Sequence, residues 1–518
     1  MEERKSKLGV RSGGMLLAVA AVSALAFVFA GSGAAGTPAG VGCQADGKAA
    51  GQGATLQTRA QVAWIQGYTS DVCGNVGTAP ANTMVTYNGI NDNSQAISSP
   101  NGSGAGQRAT SCRAVPFGGT DIPYDNNTLA QLNGTPGLVD GNTWFPSATE
   151  CSANGFSNTG YQNPFYGTAG AYPFIAGTAA ASDQTANVMS FPVGGTAVAV
   201  GVFWGLPRPA GCPATPQITG QQLSDLFGGK DSNWNQLGGA FASCNLAVRR
   251  DVRFDKSGTT QNFKNYLAAI NPNGPLCDGS TWSTLAQDTN NQNWPTTGGT
   301  CPNPSNLVRG VSSVNASGNP GVLDTCVGSN SPGPNDPNDP GPVPGTLCYA
   351  DLPDFESTGP GNSTSYIAQG LSTAKLPAGA TGTFVFPFSS TRANCDFSGV
   401  STPANSSDGA VGLAPGDSWS TNNTVNNVLT YHEAVANQGT GWPACAVTFD
   451  LVYSGLSQPS AAATQPNREL NDDMRRTTYN YMLYVLSSEG QGLLQSIFYQ
   501  NIPSGLLGQE VAGFKANY

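Results

Sequence analysis

The sequence predicts a mixed α/β protein built from two lobes with long loop insertions. Apolar runs of strand length alternate with segments of helical periodicity, which is typical of α/β layers. Roughly 480 residues follow an N-terminal export signal, more than one typical domain holds. The chain has 67 glycines and 36 prolines, and only 10% of its residues are charged. This composition favours many loops between the elements.

Residues 1–30 are predicted to be a cleaved signal peptide. Four basic residues within the first eleven precede an almost wholly apolar run at 15–30. The run is short for a bilayer span, and an uncleaved anchor is the alternative. Gly40 stands three residues before Cys43, where a lipoprotein signal has a leucine-like residue, so lipidation is disfavoured. We expect an exported protein that is periplasmic, cell-surface or extracellular.

The cysteines support export. There are twelve of them, an even number, which predicts six disulfides. The sequence does not fix their connectivity, although neighbour pairs such as Cys212 with Cys244 or Cys277 with Cys301 suit the spacing. No CxxC pattern occurs and His432 is the only histidine, so the sequence predicts neither a metal site nor a redox dithiol, and no cofactor.

The charge balance excludes one class of partner. The formal net charge is −10, and the first thirty residues hold four basic and two acidic side chains, so the mature chain is about −12. Nucleic acid and anionic membrane surfaces are therefore poor partners. A small anion remains possible, because oriented dipoles in a cleft act locally while distant charges are screened over about 10 Å.

The elements follow in order from the apolar periodicity. Helices are predicted at 56–68, 221–227, 261–270 and, most strongly, 474–498. Strands are predicted at 84–87, 196–204, 246–252, 346–349, 383–387 and 446–453. Loop composition covers 141–184, 271–305, 329–345 and 401–427.

The segment 253–260, RFDKSGTT, is the strongest candidate for a binding site. It places a guanidinium, a carboxylate, hydroxyls and a glycine where the helix at 261–270 should begin. Helix starts carry unpaired backbone N–H groups and the positive end of the helix dipole, and they therefore suit an oxyanion. Arg253 adds a fork that matches phosphate or carboxylate. A capped helix with a surface ion pair is the alternative.

Three further segments contain glycines. Residues 51–56 lack the third glycine of a dinucleotide fingerprint and follow no predicted strand, so a tight turn with backbone donors fits better. Residues 101–106 are as typical of a flexible loop as of a binding segment. In the third segment, Asp121 follows two glycines and precedes a proline, which is typical of a turn residue; a binding role for it depends on the other segments.

Together these segments resemble the phosphate-binding component of bacterial phosphate ABC importers. Residues 51–56 are similar to its GAGATF element, with Leu56 in place of phenylalanine, and 87–90 resemble the start of YxGIGS, which Gly102 and Ser103 complete after an insertion. Residues 117–123 resemble FGASDAP, 226–235 resemble IFxGKIxxWND, and 253–259 match RxDxSGT. The strands that cross between the lobes correspond to 191–200 and to the segment after Trp442, and 344–349 stand where PGSIGY is expected.

The resemblance implies a two-lobed periplasmic-binding-protein fold of type II, with phosphate in the cleft between the lobes. The first lobe would comprise 43–195 and 440–518, and the second 196–439, with hinges near 193–200 and near Trp442. It implies that Asp255 orients Arg253, and that a monomer delivers phosphate to the membrane permease of an ABC importer. The phosphate-binding residues it implies are Thr55, Leu56, Ser103, Asp121, Arg253, Asp255, Ser257, Gly258 and Thr259.

Asp121 would select the ligand by its proton. Phosphate at neutral pH carries a proton that it can donate to a carboxylate, whereas sulfate is fully ionised and offers only acceptors. In a site with little water, such a mismatch favours phosphate over sulfate by roughly 10⁴-fold in affinity. Two alternatives remain: a secreted phosphatase-like enzyme, which needs a metal or a nucleophile with a base, and a cell-surface or scavenging protein that retains the binding fold.

Overall fold

The computed structural model describes the greater part of the predicted elements. The predicted signal peptide at 1–30, the loops at 141–184 and 401–427, and His432 lie outside the described residues. Within the described part of the chain, no helix has the length and apolar character needed to cross a membrane. The described residues are 43, 49–74, 85–88, 102–111, 115–122, 188–253, 257–271, 273, 281–282, 294, 307–309, 318–328, 343–356, 366–378, 381–397, 440–453 and 468–517.

One mixed sheet organises these residues and confirms the α/β class. The strands of this sheet are β1 (Ala49–Gly53), β2 (Val85–Tyr87), β3 (Phe117–Thr120), β4 (Val188–Phe203), β5 (Arg249–Val252), β6 (Leu307–Arg309), β7 (Thr346–Asp351), β8 (Leu371–Thr373) and β13 (Cys445–Tyr453). The main path of the sheet runs β2-β1-β3-β13-β4-β7-β5-β6, and β8 pairs with β4 off this path. Two short hairpins add β9 (Leu376–Pro377) with β10 (Phe384–Val385), and β11 (Phe388–Ser389) with β12 (Arg392–Ala393).

The two halves of the sheet repeat one topology. In the first half, β2, β1 and β3 are parallel, β13 runs antiparallel to β3, and β4 pairs with β13. In the second half, β6, β5 and β7 are parallel, β4 runs antiparallel to β7, and β8 pairs with β4. The first part of the 16-residue β4 belongs to the first half and its last part to the second. This strand therefore joins the halves.

Helices follow the parallel strands, as expected of right-handed crossovers. The helix Gly220–Gly228 shows the local signals clearly: Thr219 and Gln222 form a capping box at its start, and Gly229 ends it in the left-handed region at φ 80°. The helices are α1 (Thr58–Gly67), α2 (Ser103–Ser111), α3 (Gly220–Gly228), α4 (Gly258–Ile270), α5 (Asn319–Val327), α6 (Leu352–Glu356), α7 (Arg468–Val485), α8 (Ser488–Leu494) and α9 (Ser504–Asn517).

Two clusters of buried apolar side chains pack against the sheet. One includes Trp64, Phe117 and Tyr481 and lies with the first half. The other includes Phe263 and Tyr349, whose rings stack with centroids 4.7 Å apart; it covers the second half and extends to Leu56 and to Ala446 of β13. Burial of such rings is the main favourable contribution of each cluster to folding.

The prediction of a tight turn at the glycine segment 51–56 is wrong for its first three residues. Gly51 and Gly53 lie in strand β1, not in a tight turn before it. A Cβ on Gly51 would overlap the edge of the Phe117 ring, and one on Gly53 would lie 2.7 Å from the Gly119 carbonyl carbon. The glycines therefore serve the close packing of β1 on β3. Of the neighbouring glycine run at 101–106, the part from Ser103 begins helix α2.

The predicted helix at 474–498 is two helices. Helix α7 ends at Val485, and Ser487 caps α8, its Oγ accepting a bond of 3.1 Å from the backbone of Gly490. Gln491 donates to the carbonyl of Val485 at 2.9 Å, which satisfies an acceptor at the end of α7. The apolar period continues across the break, so periodicity alone could not show it.

Four disulfides join described cysteines. The predicted pair Cys212–Cys244 is confirmed, whereas Cys277 and Cys301 lie outside the described residues. The predicted loop at 271–305 contains Trp282 and Trp294, which are buried and pack edge to face. Parts of this loop therefore belong to the core. The remaining described pairs are Cys43–Cys73, Cys326–Cys348 and Cys395–Cys445.

Candidate functional site

A buried carboxylate lies at the end of strand β3. Asp121 is 1% exposed. Its Oδ2 accepts a hydrogen bond from Ser103 Oγ at 3.0 Å, and its Oδ1 accepts one from Thr448 Oγ1 at 3.1 Å. Burial raises the pKa of Asp121 to about 7, while these two hydrogen bonds and the charge of Arg253 oppose the rise. Asp121 therefore titrates near neutral pH.

The start of helix α4 packs directly on this carboxylate. A Cβ on Gly258 would overlap Ser103 Oγ and lie 2.8 Å from the Cβ of Asp121. Glycine is therefore required for this close approach. Asn262, one turn further along α4, donates to the backbone carbonyl of Asp121 at 3.0 Å. The first turn of α4 is thus fixed against both Ser103 and Asp121.

The hydroxyl groups of the RxDxSGT segment differ in whether they have hydrogen-bond partners in the described structure. Ser257 caps α4, because its Oγ accepts from the backbone of Thr260 at 3.2 Å. Thr259 is 1% exposed, and its Oγ1 has no hydrogen-bond partner among the described residues. A buried hydroxyl without a partner is costly unless a ligand or water satisfies it. Asp255 lies outside the described residues.

Arg253 links three elements at the other side of the site. It is 2% exposed, and its Nη1 donates to Thr55 Oγ1 at 3.1 Å and to Asn319 Oδ1 at 2.7 Å. Asn319 in turn donates through Nδ2 to Asp351 Oδ1 at 2.6 Å. Leu56 is fully buried beside Thr55, and its carbonyl accepts from the hydroxyl of Tyr499.

Four helical segments begin around these side chains. They start at Thr55 (a short 3₁₀ turn that leads into α1), Ser103 (α2), Gly258 (α4) and Asn319 (α5). Arg253 bonds both Thr55 and Asn319, and Gly258 contacts Ser103. Arg253 therefore connects two of these helix starts and Gly258 connects the other two, and the charge of Arg253 acts on the buried Asp121 between them in the chain. Such an arrangement suits an oxyanion.

Among the residues of the predicted set, the structure places Ser103, Asp121 and Gly258 in contact and joins Arg253 to Thr55, and three further residues bond to these groups. Thr448 escapes sequence analysis because its strand is buried on both faces, so alternation gives no signal. Asn262 lies in a predicted helix with no motif of its own. Asn319 is preceded by glycine and followed by proline, a helix-start signal that could have revealed α5 but not its bond to Arg253.

The described residues contain no group of three or more His, Cys, Asp or Glu side chains able to hold a metal ion. Two further carboxyls connect to these residues: Asp351 accepts from Asn319, and Asp354 pairs with Arg59 at 3.2 Å. Burial, followed by the charge of Asp354, raises the pKa of Asp351 well above the usual carboxyl range.

No protein-family model matches the chain, and no curated protein matches it. Solved structures do. A phosphate-binding protein from Stenotrophomonas maltophilia is 15% identical, with a TM-score of 0.49, and the match covers 90% of this chain and 93% of that chain. A human phosphate-binding apolipoprotein is 15% identical, with a TM-score of 0.47 and coverage of 89% and 92%.

An ABC-type phosphate transport receptor from Vibrio cholerae is 11% identical, with a TM-score of 0.34 and coverage of 88% of this chain and 99% of that chain. At these identities and TM-scores, the ligand of the site has to be inferred from its own residues. The chain is similar over most of its length to solved phosphate-binding proteins.

Proposed function

We propose that this chain binds inorganic phosphate between Arg253, Asp121 and the four helix starts. The observation that supports this most is the presence of a buried guanidinium and a buried carboxylate at one site. Phosphate near neutral pH has ionised oxygens for the guanidinium and the backbone N–H groups, and it has a P–OH that can donate to Asp121. Few small anions meet both requirements.

Sulfate fails the second requirement. It is fully ionised at neutral pH, so its oxygen would face the ionised form of Asp121 as a second acceptor. In a site as buried as this one, two facing acceptors cost far more than in water. We therefore propose that the protein selects phosphate, and also arsenate, over sulfate.

The residues proposed to contact the anion belong to two lobes, 43–195 with 440–518 and 196–439. The repeated topology of the sheet supports this division. Closure about hinges near 193–200 and Trp442 would enclose the anion, and Asp255 is proposed to orient Arg253. The proposed contacts are Thr55, Leu56, Ser103, Asp121, Arg253, Ser257, Gly258 and Thr259.

We propose that binding, not catalysis, is the role of the site, and that a monomer exported from the cytoplasm delivers phosphate to an ABC permease. The four disulfides support export. Uptake of labelled phosphate by cells that lack the chain tests delivery. Restoration of uptake by the parent chain and not by Arg253→Ala is expected; equal uptake in all three strains contradicts delivery.

Calorimetric titration of the mature chain with phosphate tests the binding itself. We expect a Kd near micromolar, about −8 kcal/mol, and a loss of at least about 100-fold in Arg253→Ala, since a buried charged contact is removed. Lys230→Ala is the matched control, because Lys230 is an exposed cation that pairs with Asp225 on the surface. No heat with the parent chain, or equal losses in both variants, would overturn the proposal.

A further inference from the structure

Asn319 and Thr55 both accept hydrogen bonds from one nitrogen of the Arg253 guanidinium. The Nη1 atom of an arginine carries two hydrogens. In this structure one points to Thr55 Oγ1 at 3.1 Å and the other to Asn319 Oδ1 at 2.7 Å. Because both hydrogens of Nη1 are engaged, an anion has to be contacted by other N–H groups of the guanidinium. The plane of the guanidinium is thereby fixed.

The Asn319 amide is itself fixed in orientation. A guanidinium only donates, so the amide oxygen must face Arg253. The amide nitrogen then faces Asp351, and donates to its Oδ1 at 2.6 Å. Asn319 and Asp351 are both fully buried. A side chain with both ends bonded in a buried position has little freedom to turn.

The backbone just before Asn319 has a conformation that brings the start of α5 close to Thr55. Gly318 has φ 86°, in the left-handed region that favours glycine. A Cβ at this position would lie 2.6 Å from Thr55 Cγ2. The start of α5 is therefore built to approach Thr55, the other partner of Arg253.

We propose that Asn319 is a positioning residue for Arg253, and that Asp351 holds the Asn319 amide in turn. This inference rests on the proposed function, since it assigns how the anion-binding guanidinium is held. Asn319 acts through Arg253 and does not itself contact the anion. Its neutral amide orients the guanidinium without adding a negative charge that would compete with the ligand.

Two substitutions at this position separate positioning from a structural role. Asn319→Ala removes the acceptor, and the expected loss of phosphate affinity is about tenfold. Asn319→Asp is nearly isosteric but places a carboxylate against Arg253, which competes with the anion. The expected loss is about 100-fold, larger than that of alanine. A merely structural residue instead predicts that affinity falls only as far as thermal stability falls in each variant, since the aspartate would also face Asp351 Oδ1, to which the Asn319 amide donates.

Thr325→Val is the matched control. Thr325 lies in the same helix, is buried, and bonds only within it in the described contacts, to the carbonyl of Gly321 at 2.9 Å. The parent chain, both Asn319 variants and Thr325→Val would be titrated with phosphate and with sulfate at one pH, and their thermal unfolding measured. We expect the control to bind like the parent, and the preference for phosphate over sulfate to survive in Asn319→Ala.

The outcomes distinguish the two claims. If the parent chain does not bind phosphate, the proposed function fails and this inference fails with it. If the parent binds but both variants bind within about twofold of it, or lose affinity equally, the function stands and the positioning role is overturned. Should Asn319→Asp not fold, Asn319→Ala against Thr325→Val decides the matter: a selective loss in Asn319→Ala supports the role, and equal affinities contradict it.

Discussion

Ser103 and Asp121 are joined by two hydrogen bonds of 3.0 Å, one in each direction. The backbone N–H of Asp121 donates to Ser103 Oγ, and Ser103 Oγ donates to Oδ2 of Asp121. A serine hydroxyl has one proton, so Ser103 cannot donate to an anion while it donates to Asp121. When the P–OH of a phosphate donates to Asp121 instead, the Ser103 proton becomes available for a phosphate oxygen. On binding, we therefore expect Asp121 to accept from the phosphate P–OH in place of Ser103, and the Ser103 hydroxyl to donate to a phosphate oxygen in place of Asp121. This change is an exchange of hydrogen-bond partners.

Ser103→Ala should weaken phosphate binding. The variant removes the donor that turns to the anion, with an expected loss of about 10-fold to 100-fold in affinity, typical of a hydrogen bond to a charged group. Calorimetric titration measures it. Ser487→Ala is the matched control, because Ser487 caps α8 and its loss should cost about 1 kcal/mol of stability without changing affinity. Equal affinity of parent and Ser103→Ala contradicts the exchange of partners.

Sulfate binding should depend on pH. Because the pKa of Asp121 is about 7, its protonated fraction grows as the pH falls from 8 to 6. The protonated carboxyl can donate to sulfate, so sulfate affinity should rise by about tenfold over this range, in line with one titrating group. Asp121→Asn should abolish the dependence, since the amide donates at every pH. A pH-independent sulfate affinity in the parent chain would exclude this role for Asp121.

Gly258→Ala should damage the site more than any exposed substitution. The added methyl would overlap Ser103 Oγ and approach the Cβ of Asp121 to 2.8 Å, so α4 must move away from both. We expect phosphate affinity to fall at least about 100-fold, as displacement of a buried charged contact does. Gly508→Ala is the control: nothing lies within 4 Å of a Cβ there, and the helix should gain up to about 1 kcal/mol. Retained affinity in Gly258→Ala would mean that the contact does not shape the site.

The unliganded protein should lose stability as the pH rises. Burial raises the pKa of Asp450 to about 7, while hydrogen bonds from Gln57 and Gln61 oppose the rise. Between the ordinary carboxyl pKa and 7, the folded state binds more protons than the unfolded state, so the free energy of unfolding decreases with pH. The contribution of Asp450 is at most about 4 kcal/mol between pH 4 and pH 8. Denaturant unfolding of Asp450→Asn should show a shallower decrease; an unchanged slope contradicts this assignment.

Residues that are adjacent in the chain were enough to predict one part of the candidate site. The segment from Arg253 to Thr259 reads as a helix start because its glycine, hydroxyls and arginine are adjacent in the chain. Strand β1 could not be read in the same way, since its alanines and glycines have low strand propensity. Those small residues are explained only by the approach of Phe117 and Gly119, which lie more than sixty residues away.

The other half of the site depends on tertiary proximity. Thr448 reaches Asp121 only because β13 returns beside β3, and Asn319 reaches Arg253 only because α5 begins beside Thr55. Neither residue has a chain neighbour that marks it. The break between α7 and α8 was not predicted for a related reason. Apolar residues recur at helical spacing on both sides of Ser487, and this long pattern favours a single helix more strongly than one capping residue favours a break.

The most direct test of the account is calorimetric titration of the mature chain with phosphate and with sulfate at pH 8, beside Asp121→Asn. We expect phosphate to bind to the parent chain near micromolar Kd and sulfate to bind at least about tenfold more weakly, because with a pKa of about 7 only about a tenth of Asp121 is protonated at pH 8 and able to donate to sulfate. In Asp121→Asn this preference should largely disappear. Equal affinity of the parent chain for the two anions, or an unchanged preference in the variant, would contradict the claim that Asp121 recognises the ligand's proton.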